Sequence, residues 1–369
     1  MSGGGGRITT LPAGARLPSL DGLRALSIAL VLLSHLLGTR GFPLGARALG
    51  AAGDVGYLGV RVFFVISGFL ITGLLVAEHT RTGSISLRGF YLRRSLRIVP
   101  AFLVFIAAMA LASALGAIDL HEHDVAHALT YTTNYHYERS WELGHIWSLS
   151  VEEQFYFLWP ALLLFLRPRS IVPLSLAMIA LAPLLRLAAW FWAPYRDDVI
   201  MEAYPCVMDS IAAGCLLAGL RRWLDHQPVY LRFLQSPTFW IVPFIILLAQ
   251  LPSPVKFEYV TDITVMNVGI AICIDRFVRY PDTLTGRVLN WSPLVWFGTL
   301  SYSLYLWQEI FLAHREHHTW NVWPLNLGLA LVCAIGSYYL VEKPFLALRH
   351  RRAEARRAGE RPAAAAPVP

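Results

Sequence analysis

The sequence predicts an all-α fold, a polytopic transmembrane helical bundle of about ten spans with both termini cytoplasmic. Three observations carry that expectation. The 369 residues are 56% hydrophobic and only 15% charged, with a mean hydropathy of +0.51, which is far too apolar for a soluble domain of this size. Apolar runs recur near residues 20–38, 57–77, 98–116, 147–166, 171–192, 204–220, 237–251, 262–278, 294–313 and 323–341. Most Lys and Arg fall in short clusters that lie on one side when the N-terminus is placed inside. That bias accounts for the net charge of +7 and the pI near 9.4 without invoking nucleic acid.

The chain divides into a flexible Gly-rich segment at 1–16, a membrane domain at 17–348 and a basic Ala, Arg and Pro tail at 349–369, expected to be disordered. Residues 1–18 lack the layout of a cleaved signal peptide, so the first span is expected to stay in the bundle. Cys206, Cys215, Cys273 and Cys333 sit singly in apolar runs and read as buried small hydrophobes. No internal repeat and no glycine-rich nucleotide loop is recognisable.

The first run, S-L-D-G-L-R-A-L-S-I-A-L-V-L-L-S-H-L-L, is long enough to cross a bilayer yet carries Asp21, Arg24 and His35. Arg24 and His35 are about three turns apart, and Asp21 lies one turn before Arg24, so the three share a helix face. Ionisable groups within a span are costly and face a bundle interior or a wet cavity, so one polar pocket seen at two depths is the expected active site.

The second run, G-V-R-V-F-F-V-I-S-G-F-L-I, holds Arg61, Ser67 and Gly68. Small residues there serve close helix approach or, for Ser67, a substrate contact. The third is entered through F-Y-L-R-R-S-L-R-I-V-P, where Arg93, Arg94 and Arg97 crowd into five residues. Guanidinium forks at that face suit a soluble phosphorylated donor, although the positive-inside bias also places arginines there.

The connection 117–146, with D-L-H-E-H-D and Y-T-T-N-Y-H-Y, is expected to face outward as a lid or acceptor surface. His121, His123 and His127, then His314, His317 and His318, have loose metal-like spacing without a matched ligand set, and no metal is expected.

The fourth run opens with H-I-W-S-L-S-V-E-E-Q-F-Y, placing Trp147, Ser148, Ser150, Glu152 and Glu153 at the depth of His35. A carboxylate against an imidazole fixes its tautomer and raises its basicity. Glu153, deeper and followed by aromatic residues, is the expected partner of His35, whereas Glu152 also suits a helix N-terminus. Further along, Arg186, Asp209, Glu309 and Glu342 are ionisable groups in or at the ends of spans, and Arg186 and Asp209 also suit pairing with each other. Asp21, Trp147, Ser150, Glu152 and Arg186 are candidate substrate-binding residues.

Taken together, S-L-D-G-L-R-A-L with His35, F-F-V-I-S-G-F, R-R-S-L-R-I-V-P, W-S-L-S-V-E-E-Q-F-Y, G-T-L-S-Y-S-L-Y-L-W and V-E-K-P-F resemble the acyltransferase-3 family, over about residues 17–346. These are integral-membrane O-acyltransferases that acetylate bacterial surface polysaccharides, peptidoglycan and some macrolides. The resemblance implies ten core spans, acetyl-CoA taken from the cytoplasm, an essential arginine-x10-histidine pair at Arg24 and His35, and a donor-binding R-x-x-R at Arg94 and Arg97. The chain departs from the pattern at Arg61, where many members have an acid or amide, and at Val207, often an arginine. It also ends without the esterase-like extracytoplasmic domain fused to some members, so a separate periplasmic partner is one way to serve the acceptor.

The expected reaction is therefore acetyl transfer from acetyl-CoA to a hydroxyl of a sugar, glycoconjugate or macrolide, in the bacterial inner membrane among its lipids. His35, oriented by Glu153, is the base, and Arg24, Arg94, Arg97 and Ser67 hold the donor. The alternative is a transporter or flippase of a polysaccharide precursor, with the intramembrane charges lining a path.

Overall fold

A computed structural model describes residues 17–44, 55–251, 254, 257–313 and 318–348, and among them every regular element is helical. The expected flexible segment at 1–16 and tail at 349–369 lie outside the described residues. Helix α1 (Pro18–Leu36) begins with Pro at its first position, where a missing N–H costs nothing, and packs along α2 (Val55–Thr82). Helix α3 (Leu87–Ala114) is capped by Ser86, whose hydroxyl accepts the Gly89 N–H at 3.2 Å. The short α4 (Asp124–Leu129) belongs to the long connection that leads into α5 (Ile146–Leu166).

Helices α6 (Ile171–Trp192), α7 (Arg196–Glu202) and α8 (Tyr204–Leu224) follow, with α8 seated on both α2 and α6. The α2–α8 crossing requires glycine. A Cβ on Gly68 would fall 2.0 Å from the Ile211 carbonyl oxygen, and one on Gly214 would fall 2.0 Å from that of Val65. Gly68 therefore takes the packing role and leaves its neighbour Ser67 to the interior. The chain continues through α9 (Pro228–Gln235), α10 (Ile241–Leu248), α11 (Ile263–Arg279), α12 (Leu284–Leu289), α13 (Ser292–Thr299), α14 (Ser301–Trp307) and α15 (Leu325–Ser337).

Seven helical segments among the described residues are long and apolar enough to cross a membrane, or eight if the pair Pro228–Gln235 and Pro237–Leu248, bent by 74°, makes one span. The sequence expectation was about ten. The difference falls at two runs. Helix α11 follows without a break from the π-helical turn Glu258–Asp262, which brings two acids to its start. The run 294–313 breaks between α13 and α14, and α14 ends at Trp307. Apolar content measures a run's length and is blind to such turns.

The bundle turns apolar side chains outward as well as inward. Phe165, Trp192 and Leu340 are each 80% exposed, as suits surfaces that meet lipid. The fold is that of a multi-pass membrane protein. Two ends matter for the site: the arginine end, where Arg24 and the start of α3 lie, and the His35 end, where α1 finishes and α5 begins.

Candidate active site

Helices α1, α2, α3, α5 and α14 enclose a cavity of about 890 Å³, its open mouth included. Each wall contributes from one helix face. Arg24 comes from α1, Ser67 from α2, Arg94 and Arg97 from one face of α3 at i, i+3, and Glu152 from α5. Val60, Phe63, Phe64, Ile71 and Leu149 supply an apolar lining between these groups.

The polar groups are coupled. Tyr156 donates its hydroxyl to Ser67 Oγ at 2.8 Å, and Ser67 in turn donates to Glu152 Oε1. The Arg94 guanidinium lies over the Tyr156 ring, 3.6 Å from its centroid, and its Nε is buried with no hydrogen-bond partner among the described residues. Arg24 Nη1 donates to Asp21 Oδ1 at 3.0 Å, so Asp21 acts on the cavity through Arg24 and does not line it.

Ser148 and Tyr305 also line the cavity. Their hydroxyls meet at 2.5 Å, and Tyr305 also donates to the His145 carbonyl at 3.0 Å. His35 is not among the lining residues. Its Nδ1 is 2.5 Å from Gln308 Oε1, its Nε2 is 3.6 Å from Glu309 Oε1, and Trp141 packs edge-on against the ring. The other Glu309 oxygen, Oε2, is 2.8 Å from His145 Nδ1.

Several expected placements differ. No hydrogen bond or ion pair joins Glu153 to His35; the nearby carboxylate is Glu309, and Glu153 feels Arg94 and Glu152 instead. Arg24 lines the cavity, whereas His35 is not among the residues that line it. Trp147 packs behind Phe64 and beside Tyr57, supporting the lining. Ser150 returns its hydroxyl to the Ile146 carbonyl of its own helix at 3.1 Å.

Arg186 is fully buried away from the cavity with all five donors used. Nε donates to the Tyr259 carbonyl, Nη1 to the Cys206 carbonyl and Asp209 Oδ1, and Nη2 to Asp209 Oδ2 and Thr264. It has nothing left to offer a substrate. The residues that sequence reasoning missed are Gln308, Glu309 as the neighbour of His35, His145, Tyr156 and Tyr305. The available signal was W-Q-E, two adjacent polar residues ending an apolar run.

Among the described residues no three His, Cys, Asp or Glu side chains converge to hold a metal, and His314 and His317 lie outside those residues. His127 instead stacks on His136 with ring centroids 4.4 Å apart, and His136 Nε2 meets Asp124 Oδ1 at 2.9 Å. Burial, then the His136 and His123 charges, push the His127 imidazole below its usual value, with Asp124 acting in the opposite sense.

Comparison with known proteins bears on this arrangement. The family profile described as Acyltransferase domain matches residues 17–342. The chain belongs to the acyltransferase-3 family. It is 28% identical over 356 residues to the peptidoglycan O-acetyltransferase OatA of Listeria monocytogenes, covering 89% of this chain and 55% of the relative. It is 29% identical over 362 residues to the O-acetyltransferase OatA of Staphylococcus aureus, covering 89% and 57%. The chain thus spans a little over half the length of these curated relatives. No solved structure matches it. Within this acyltransferase-3 chain, three of the four residues that carried the resemblance most directly, Arg24, Arg94 and Arg97, line the cavity, and the fourth, His35, lies outside that lining.

Proposed function

We propose that this chain is a membrane-bound O-acyltransferase that moves an acetyl group from acetyl-CoA to a sugar hydroxyl of a cell-wall or surface glycan, with His35 as base. The observation that carries the reading is the cavity, with guanidinium groups from two helices in its lining, together with a histidine outside that lining whose ring nitrogens face an amide and a carboxylate. The relatives named for peptidoglycan O-acetylation support a glycan acceptor. The arginine end is assigned to the cytoplasm and the chain to the bacterial inner membrane, in keeping with the positive-inside bias.

In this mechanism Arg94 and Arg97 hold the donor phosphates through charge-assisted forks, with Arg24 at the mouth. The apolar wall of Val60, Phe63 and Phe64 receives the donor's slender arm, and the Ser67–Glu152 pair orients its polar groups. With the Gln308 oxygen on Nδ1, the His35 hydrogen sits on Nδ1 and the lone pair on Nε2, beside Glu309. Nε2 takes the proton of the acceptor hydroxyl as its oxygen attacks the thioester carbonyl. The C–O bond forms, the C–S bond breaks, and the leaving thiolate receives that proton from the imidazolium. Glu309 stabilises the imidazolium between these two steps. Movement of the Ser148–Tyr305 pair brings the acyl group to His35.

The test is transfer of label from acetyl-CoA in membranes containing the wild-type chain or His35→Ala. The variant is expected to lose about 10² to 10⁴ in rate while reaching the membrane at normal levels. Full activity in His35→Ala overturns the assignment.

A further inference from the structure

Two consecutive residues flank the two nitrogens of one imidazole: the Gln308 oxygen lies 2.5 Å from Nδ1 of His35, and Glu309 Oε1 lies 3.6 Å from Nε2, beyond direct hydrogen-bond distance. In an α-helix neighbouring side chains diverge by about 100°, so the two approach the ring from different sides. Helix α14 ends at Trp307, with Gln308 as its C-cap in helical dihedrals. Ending it there frees carbonyls of the last turn, and one of them, on Leu306, would be a buried acceptor without a partner. His145 meets it, with Nε2 3.1 Å from the Leu306 oxygen. The same side chain places Nδ1 2.8 Å from Glu309 Oε2, and the His145 backbone N–H donates to that oxygen at 3.1 Å. Phe105 and Tyr305 pack edge-on against the ring, and the residue is only 3% exposed, so its rotamer is fixed.

We propose that His145, carrying a hydrogen on each ring nitrogen, is a positioning residue for the transfer: Nε2–H caps the end of α14 and Nδ1–H secures Glu309 Oε2, which leaves Glu309 Oε1 and the Gln308 amide to face His35 together. The inference rests on His35 being the base. It goes beyond that assignment because His145 touches neither the cavity nor His35 and acts only through the carboxylate and the helix end.

The amide nitrogen of asparagine overlies Nδ1 of histidine, and that of glutamine overlies Nε2, so the two contacts separate by substitution. His145→Asn keeps the bond to Glu309 and His145→Gln keeps the cap on Leu306. Both variants of the full chain are purified in detergent and assayed with labelled acetyl-CoA and a glycan acceptor, alongside their thermal midpoints. His145→Gln is expected to lose ~10²-fold in kcat, and His145→Asn to recover to within about fivefold of wild type, with the KM for acetyl-CoA unchanged in both. Equal kcat in the two variants, a wild-type kcat in His145→Gln, or an effect confined to the donor KM overturns the proposal. A wild-type chain that never turns over acetyl-CoA overturns the function assigned above and the role of His145 with it, a result distinct from all three.

Discussion

Two arginine sites in this bundle, one fully buried at Arg186 and one half-buried at Arg94, differ in kind. Arg186 is enclosed by acceptors, with a two-pronged pair to Asp209 at 3.1 and 3.0 Å and three further bonds that exhaust its donors. Arg94 rests on the face of Tyr156 with its Nε unanswered, beside an open cavity. A guanidinium whose donors are consumed within the protein holds helices together. One that is oriented by a ring face and left with donors to spare is placed for an anion that arrives from outside.

That contrast can be broken most decisively at Arg186. Replacing it with Met strands the Asp209 carboxylate in the core, and the loss of one partner of a buried pair typically costs about 3–5 kcal/mol. The expected result is a sharp drop in folded yield and thermal midpoint, with the rate per folded molecule unchanged. A stable Arg186→Met protein that cannot use its donor would reverse the assignment. The opposite pattern is expected at Arg94, where Ala should lower kcat/KM for acetyl-CoA by about 10-fold to 10²-fold, the worth of one or two charge-assisted hydrogen bonds. Its thermal midpoint should stay close to wild type, and Arg94→Lys should recover only part of the loss because a point charge does not replace a fork. The smallest effect is expected at Ser67, whose Ala variant loses the hydroxyl that links Tyr156 to Glu152, about threefold in kcat/KM. A Ser67→Ala protein as impaired as Arg94→Ala would show that the relay, and not the cation, dominates the cavity.

Much of this was legible in the residues alone. The apolar runs predicted the helical bundle, and the resemblance implied a donor site at Arg94 and Arg97; those two and Arg24 line one cavity. Ser67 and Glu152 join them there. The pairing of His35 was not legible, because equal depth on two helices fixes height and leaves rotation open. Glu153 and Glu152 are adjacent and so point about 100° apart, and it is Glu152 that reaches the cavity. Glu309 comes to 3.6 Å from His35 just past the end of α14, and the end of that helix has no signature in hydrophobic periodicity. Arg186 and Asp209 could be paired by eye, yet only the carbonyls of Cys206 and Tyr259 reveal that the pair is saturated.

The hydroxyl contact between Ser148 and Tyr305 has an electrical consequence. A membrane that carries a potential exerts about 2.3 kcal/mol on each elementary charge per 100 mV, so any unbroken thread of water across it would discharge the cell. Here Ser148 and Tyr305, both in the cavity lining, are bonded to each other and to the His145 carbonyl. A thread of water running from the cavity between them would have to break that contact.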